Sequence, residues 1–171
     1  SFIVTSVPGV ISKGAEFDVR YLPEQLEGLT LQGGLVYAET QYDDFEAVDF
    51  FAPPRLPGST ISFAPRWSGT LAATYETSFI SDWDARFNVS SRFTSKYNTG
   101  SNLDPLKEVE ELVVVNARMS FYSDNSPFEL ELWAQNLFNE DYTQVAFNTP
   151  FVAEQQTYSA YLAEPRPYGI T

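Results

Sequence analysis

Acidic and aromatic residues are interleaved in one stretch of the sequence, YDDFEAVDFF, at residues 42–51. Its four carboxylates, Asp43, Asp44, Glu46 and Asp49, are of the type that supplies oxygen ligands to a hard cation such as calcium. Their spacing is not that of an EF-hand loop, however. The pattern favours a solvated acidic loop, in which carboxylates stay exposed to water, and it predicts no metal site.

Catalytic chemistry has few candidates because the 171-residue chain contains neither cysteine nor histidine. Disulfides, thiolate sites, histidine-based triads and imidazole metal sites are therefore excluded. There is also no glycine-rich phosphate loop, and no pair of carboxylates stands out as an acid and a base. The net charge of −13 argues against nucleic-acid binding, which requires basic patches. The sequence predicts no enzyme, no cofactor and no nucleic-acid partner.

Ligand capture by stacking is a chemistry that the sequence does allow. Exposed aromatic side chains on long connections can stack on a sugar or a siderophore, but they can equally pack a loop against its neighbours. An arginine in the same connections could contact a ligand as well. The candidate ligand-binding residues are Phe50, Phe51, Arg55, Phe147, Phe151 and Tyr158.

The elements that would position these residues are strands. In WDARFNVSSRFTSKY, residues 83–97, apolar side chains such as Phe87 and Val89 alternate with polar ones such as Arg86 and Arg92. A period of two indicates an extended strand with one apolar and one polar face. The same alternation predicts seven strands, at residues 12–22, 29–42, 66–76, 83–97, 111–122, 128–138 and 167–171.

Short and long connections alternate between these strands. The short ones contain PEQLEG, SFISD and SDNSP, and the long ones cover residues 43–65, 98–110 and 139–167. In an antiparallel meander, alternate connections lie at opposite ends of the sheet. One end should therefore be trimmed to tight turns while the other carries all the long loops, as in transmembrane β-barrels.

The length of the strands favours a membrane barrel over a soluble sheet. The strand predicted at residues 83–97 would be about 46 Å long at ~3.3 Å per residue. At a tilt of ~40° it would rise about 35 Å, enough to cross a hydrocarbon layer of ~30 Å. We therefore expect the apolar face to meet lipid and the polar face to line the lumen. The polar residues expected to face the lumen, mostly in structural networks, are Glu16, Asp18, Arg86, Arg92, Asn116, Arg118 and Glu131.

Two other interpretations fit parts of this pattern. A surface β-sandwich that binds carbohydrate would bury its apolar faces against each other, typically with strands of ~5–6 residues. A small, self-contained outer-membrane barrel with a structural role would place its apolar face in lipid.

Three sequence segments add a family resemblance. They are SKGAEFDVRYLP followed by LTLQGGLVYAETQYDDF, then WAQNLFNEDY, and finally EPRPYGIT. In this order they resemble the C-terminal part of TonB-dependent outer-membrane receptors. The resemblance implies an all-β fold, an antiparallel transmembrane β-barrel meander with about seven strands of a larger plugged barrel of about 22 strands. Residues 1–171 would be the C-terminal portion of the barrel domain, and the plug domain would lie outside this chain.

The resemblance also implies a function. Such a receptor takes up a scarce nutrient, for example a ferric siderophore, cobalamin or an oligosaccharide, by active transport with energy from the inner membrane. It implies location in the cell outer membrane of a Gram-negative bacterium. The expected partners are the lipid bilayer and lipopolysaccharide, an N-terminal plug domain, a TonB-type energy-coupling protein and a small-molecule substrate.

Overall fold

The computed structural model describes residues 9–43, 58–100, 103–149 and 157–171, which form β-structure with one short 3-10 helix. The first strands are β1 (Val10–Tyr21), β2 (Leu29–Tyr42), β3 (Trp67–Ile80), β4 (Trp83–Thr94) and β5 (Tyr97–Asn98). The 3-10 helix (Pro105–Lys107), β6 (Glu108–Val109), β7 (Leu112–Tyr122), β8 (Leu130–Ala134), β9 (Thr143–Asn148), β10 (Tyr158–Leu162) and β11 (Tyr168–Ile170) follow. This described part of the chain contains no helix long and apolar enough to cross a membrane.

One antiparallel sheet of seven strands dominates the molecule, in the order β1-β2-β3-β4-β7-β8-β11. Neighbours in the sheet follow one another along the chain, apart from the short strands that lie in the long connections. The predicted all-β antiparallel meander of seven strands is therefore confirmed. Four of its strands have 12 or 14 residues, well beyond the ~5–6 residues typical of soluble strands.

Two strands end three or four residues before the sequence predicts. The strand expected at residues 83–97 ends at Thr94, and Ser95 closes it by bonding to Trp67 in β3 through two hydrogen bonds of 2.8 and 3.0 Å. Tyr97 then starts β5, which pairs with β6 rather than with the main sheet. The strand expected at residues 128–138 comprises only Leu130–Ala134, because Asn136 adopts a left-handed conformation with φ of 47°.

The connections obey the predicted alternation. Tight turns join β1 to β2, β3 to β4 and β7 to β8, and the long connections lie at the opposite end of the sheet. The β1–β2 turn requires glycine at Gly28, whose φ is 86°. A Cβ there would stand 2.0 Å from the backbone oxygen of Glu76, so the turn presses directly on β3. We call these two ends the turn end and the loop end.

The long connections contain secondary structure that the alternation pattern did not reveal. Strands β5 and β6 form a minimal ladder in the connection between β4 and β7, and β9 and β10 form a hairpin between β8 and β11. These strands have two to six residues, too few for a period of two to stand out from a loop.

The apolar face of the sheet is exposed. Leu71 and Val89, near the middle of the sheet, are 63% and 50% exposed. Several of the buried apolar side chains, such as Leu112, Val114 and Ala146, lie toward the loop end instead. Because the described apolar face does not pack against a second sheet, the structure does not fit the β-sandwich alternative.

Aromatic pairs border this apolar face at both ends. Tyr37 and Trp67 pack with ring centroids 4.7 Å apart at the loop end, and Phe79 and Phe121 pack at 5.2 Å at the turn end. Trp67 and Phe79 are separated by about 12 residues of one strand, roughly 40 Å. At a tilt of ~40° this gives a height of about 30 Å, which matches the hydrocarbon layer of a bilayer. Tyr97, by contrast, leaves the sheet and packs near Phe63.

Candidate functional site

The seven residues expected to line the lumen share one face of the sheet. Directly opposed residues in an antiparallel sheet project to the same side. The register runs from Asp18 through Gly34 and Thr70 to Arg92, and the other members of the set follow the same parity in their own strands. This polar face carries Glu16, Asp18, Arg86, Arg92, Asn116, Arg118 and Glu131. That it lines a lumen stays a prediction.

Cross-strand ion pairs organise the part of this face nearer the turn end. Arg86 Nε lies 2.6 Å from Glu76 Oε1, its direct neighbour in the register of β3 and β4. The Arg86 guanidinium also lies over the ring of Tyr122, 4.9 Å from its centroid, a distance typical of a cation–π contact. The charge of Arg86 is therefore compensated from two neighbouring strands.

A second ion pair continues this arrangement on β7 and β8. Arg118 lies 3.7 Å from Glu131, and the Ser120 hydroxyl donates to the same carboxylate over 3.4 Å. Between the two ion pairs, the side-chain amide of Asn88 donates to the Thr74 hydroxyl at 2.8 Å. We call the region that holds these contacts the paired half. Its members are Thr74, Glu76, Arg86, Asn88, Arg118, Ser120 and Glu131.

Arg92, nearer the loop end, has different surroundings. Its guanidinium donates to the Tyr142 hydroxyl over 3.3 Å, and no carboxylate among the described residues lies within ion-pair distance of it. It opens on a pocket of about 300 Å³ that we call the loop pocket. The polar side chains around this pocket are Arg92, Asn116, Gln135, Asn136, Tyr142, Gln144 and Glu164.

Tyr97 lies near Arg92 and Tyr142 and responds to both electrostatically. Burial raises the pKa of Tyr97 above its usual value of 10.0, whereas the charge of Arg92 lowers it and Tyr142 raises it, each by less. The Tyr97 phenol therefore stays protonated at neutral pH and keeps its O–H as a hydrogen-bond donor.

The buried residue Asn136 forms hydrogen bonds that connect the chain segments containing Tyr142 and Glu164. Asn136, 6% exposed, accepts a 2.8 Å hydrogen bond from the Glu140 amide and donates to the carbonyl oxygens of Glu140 (2.9 Å) and Glu164 (3.4 Å). The backbone amide of Asn136 donates to the side-chain oxygen of Asn116 on β7 over 3.0 Å. This network, the Asn136 clamp, fixes the start of the last long connection to its end.

The clamp joins two of the sequence segments that carry the family resemblance, WAQNLFNEDY and EPRPYGIT. Besides Asn136, Asn139 accepts from the Arg166 amide at 3.0 Å, and the Arg166 side chain donates to the Leu137 carbonyl at 3.1 Å. Sequence reasoning missed this role. Two asparagines three residues apart were the available signal, because asparagine tolerates the left-handed conformation that both adopt.

The predicted ligand-binding aromatics do not converge where the structure describes them. Phe147 is opposite Ser159 in the β9–β10 register and Tyr158 is opposite Asn148, so the two rings lie on opposite faces of the hairpin. Phe147 instead packs near Tyr161 with centroids 5.8 Å apart. The other candidates, Phe50, Phe51, Arg55 and Phe151, lie outside the described residues. A role in ligand binding stays a prediction for all six.

A buried lysine connects the hairpin to the preceding long connection. The Lys107 side chain, in a residue only 4% exposed, donates to Asn148 over 2.5 Å, and the Lys107 carbonyl accepts from the Thr99 hydroxyl at 2.9 Å. Two long connections of the loop end therefore form one packed unit.

The acidic stretch at residues 42–51 lies mostly outside the described ranges, which include Asp43 but not Asp44, Glu46 or Asp49. In the ranges that the structure describes, no three acidic, histidine or cysteine side chains are grouped closely enough to hold a metal ion.

Comparison with known proteins identifies one matching family model. The model described as TonB dependent receptor-like, beta-barrel matches residues 1–137. No curated protein sequence matches the chain.

Solved structures similar to this chain include three receptors. The ferric yersiniabactin uptake receptor FyuA from Yersinia pestis has a TM-score of 0.75 at 10% identity, over 94% of this chain and 23% of its own. BauA, the ferric preacinetobactin receptor from Acinetobacter baumannii, has a TM-score of 0.65 at 16% identity, over 93% of this chain and 21% of its own. The siderophore receptor PiuA from the same organism has a TM-score of 0.61 at 16% identity, with the same coverage. The chain thus spans less than a quarter of the length of these receptors.

Proposed function

We propose that this protein takes part in nutrient uptake across the outer membrane, because the chain belongs to the family of TonB dependent receptor-like β-barrels. This family consists of transport receptors and not of enzymes. In our proposal the seven-stranded sheet is a segment of the barrel wall. Its apolar face contacts lipid and lipopolysaccharide in the outer membrane of a Gram-negative bacterium, and its polar face contacts a plug domain inside the lumen.

The separation of the two sheet faces is the single observation that supports a wall segment most directly. Apolar side chains such as Leu71 and Val89 are exposed on one face, between aromatic pairs at both ends. Ion pairs and hydrogen bonds organise the other face. A soluble protein would leave such an apolar face unprotected from water, whereas lipid is a favourable surrounding for it.

For the substrate we propose a ferric siderophore, carried inward with energy from a TonB-type protein of the inner membrane. The similar solved structures are named as receptors of this class, which supports the proposal through their fold. Cobalamin and oligosaccharides are the competing substrates. The plug and the energy-coupling segment would be supplied by parts of the receptor other than this chain.

The test is uptake by the full-length receptor in a Gram-negative host that lacks its own siderophore receptors. Iron-limited cells receive radiolabelled iron as siderophore complexes, with the empty vector and a host without its TonB protein as controls. We expect iron accumulation that depends on both the receptor and TonB. Accumulation of labelled cobalamin or oligosaccharide instead of iron would reject the siderophore proposal, and uptake independent of TonB would reject active transport.

A further inference from the structure

We propose that the loop pocket binds an acidic oxygen group of the transported chelate, a carboxylate or a catecholate, through the guanidinium of Arg92. This inference rests on the proposed uptake function. It adds the chemical group of the ligand that is bound and the residue that binds it. It is based on a cation that has no carboxylate partner among the described residues, on several hydrogen-bonding side chains and on a concave space of about 300 Å³.

Arg92 differs from the arginines of the paired half because no described carboxylate compensates its positive charge. Arg86 and Arg118 each have a carboxylate on an adjacent strand, at 2.6 and 3.7 Å. Within the described ranges, Arg92 has one hydrogen bond, to the Tyr142 hydroxyl. A guanidinium carries five N–H donors in a planar fork, so the remaining donors suit an anionic oxygen pair, which such a fork binds with both of its arms.

The charge of the whole chain makes this local cation significant. With a net charge of −13 the chain repels anionic ligands at long range. An anionic chelate therefore needs a compensated contact point at short range, where a charge-assisted hydrogen bond outweighs the screened repulsion. Arg92 supplies that point on the polar face, directly below the long connections.

The other side chains of the pocket favour an acidic group that carries a neighbouring O–H or N–H. The side-chain amides of Gln135 and Gln144 line the same pocket and offer both donors and acceptors. Catechol amides and hydroxycarboxylates both present such mixed groups.

The pocket is also held in place before any ligand arrives. The Asn136 clamp fixes Glu140, two residues before Tyr142, and binds the Glu164 carbonyl. The Tyr142 carbonyl in turn accepts from the Ala163 amide at 2.8 Å. Groups that are ordered in advance lose less conformational entropy when they bind.

The experiment measures equilibrium binding of iron(III) chelates to the full-length receptor in outer-membrane vesicles. The probes are the anionic citrate and tris-catecholate chelates and the cationic ferrioxamine B chelate. The variants are Arg92→Gln and Tyr142→Phe, with Arg86→Gln as the matched control because its arginine is already paired with Glu76. Folded receptor in each preparation is quantified by heat-modifiable migration on gels.

We expect the wild-type receptor to prefer an anionic chelate. Arg92→Gln should weaken that binding by about 10- to 100-fold, the usual effect of losing a hydrogen bond to a charged group. Tyr142→Phe should weaken it by about 3- to 10-fold because the guanidinium loses its positioning contact. Arg86→Gln should stay within about twofold of wild type, since its arginine already has a partner.

Three results would overturn the inference. If a chelate binds and is taken up but Arg92→Gln leaves its affinity unchanged, the loop pocket is not the site, while the uptake function stands. If Arg92→Gln weakens all chelates equally and lowers the amount of folded receptor, Arg92 contacts a carboxylate of the receptor itself, such as one on the plug. If the receptor binds no chelate of either charge, the siderophore proposal fails together with this inference.

Discussion

The paired half and the loop pocket lie on the same face of the same sheet, yet their arginines have different interaction partners. In the paired half, Arg86 and Arg118 each meet a carboxylate from the next strand, at 2.6 and 3.7 Å. In the loop pocket, Arg92 meets the phenol of Tyr142 at 3.3 Å, a residue 50 positions further along the chain. One region neutralises its charges within the sheet, and the other keeps a positive charge beneath the long connections.

This difference indicates two roles for charged side chains on one face of the sheet, stabilising the wall and contacting a ligand. A carboxylate on the adjacent strand is positioned by the sheet register, so the pair forms whenever the strands pair and serves the wall itself. Arg92 has no carboxylate partner in the part of the chain that the structure describes, so most of its electrostatic field is available to a ligand. On this face, Arg86 and Arg118 therefore serve the wall, whereas we propose that Arg92 serves a ligand.

We expect both regions to face away from lipid, and a matched pair of substitutions tests this. Val89 and Ser90 are adjacent near the centre of β4 but lie on opposite faces. Val89→Arg should destabilise the inserted barrel by about 2–4 kcal/mol because the arginine enters the lipid midplane, whereas Ser90→Arg should have little effect. The measurement is urea unfolding of the receptor in vesicles. Equal destabilisation by both substitutions would contradict the assigned sidedness.

The loop pocket should depend on the Asn136 clamp, whereas the paired half should not. Asn136→Ala removes the three side-chain hydrogen bonds of this buried residue, to the Glu140 amide and to the carbonyls of Glu140 and Glu164, so we expect local destabilisation of about 2–3 kcal/mol. Hydrogen exchange should accelerate around residues 139–149 and remain slow in β3 and β4.

Asn125→Ala, at an exposed asparagine of the β7–β8 turn, is the control for the clamp and should change neither region. A uniform acceleration of exchange across the sheet in Asn136→Ala would mean that the two regions unfold as one unit.

The ion pair between Glu76 and Arg86 should contribute little on its own. Both side chains are nearly half exposed, and exposed pairs typically couple by ~0.2–1 kcal/mol. A double-mutant cycle with Glu76→Gln and Arg86→Gln should give a coupling of about 0.5 kcal/mol that decreases with salt. A coupling of several kcal/mol would instead mean that the paired half is desolvated by another part of the receptor.

Removing the carboxylate at the rim of the loop pocket should have the smallest effect and the opposite sign. Glu164→Gln eliminates a like charge near an anionic ligand, so the affinity for the tris-catecholate chelate should rise by about twofold at low salt. Binding titrations at two salt concentrations measure this. Weaker binding in Glu164→Gln would show that its carboxylate accepts a hydrogen bond from the ligand that outweighs the repulsion.

The sequence predicts the wall far better than the pocket, for a physical reason. Alternation along a strand is local, so β2 was placed with its bounds at residues 29–42, and Arg86 and Arg92 were assigned to one face. The contact between Arg92 and Tyr142 depends on how the last long connection folds, and no local pattern encodes it. The early end of β8 depended on the backbone of Asn136, which overrides the apolar alternation that continues past it.

The ladders inside the long connections have a consequence for how the chain folds. Strand β7 can pair with β4 only after the chain between them closes into a loop, and closing a longer flexible loop loses more entropy. The β5–β6 ladder shortens that closure by bringing residues 98 and 108 together, and the β9–β10 hairpin does the same before β11 joins β8. These two steps of sheet growth thereby become contacts of shorter effective range, which favours faster strand pairing.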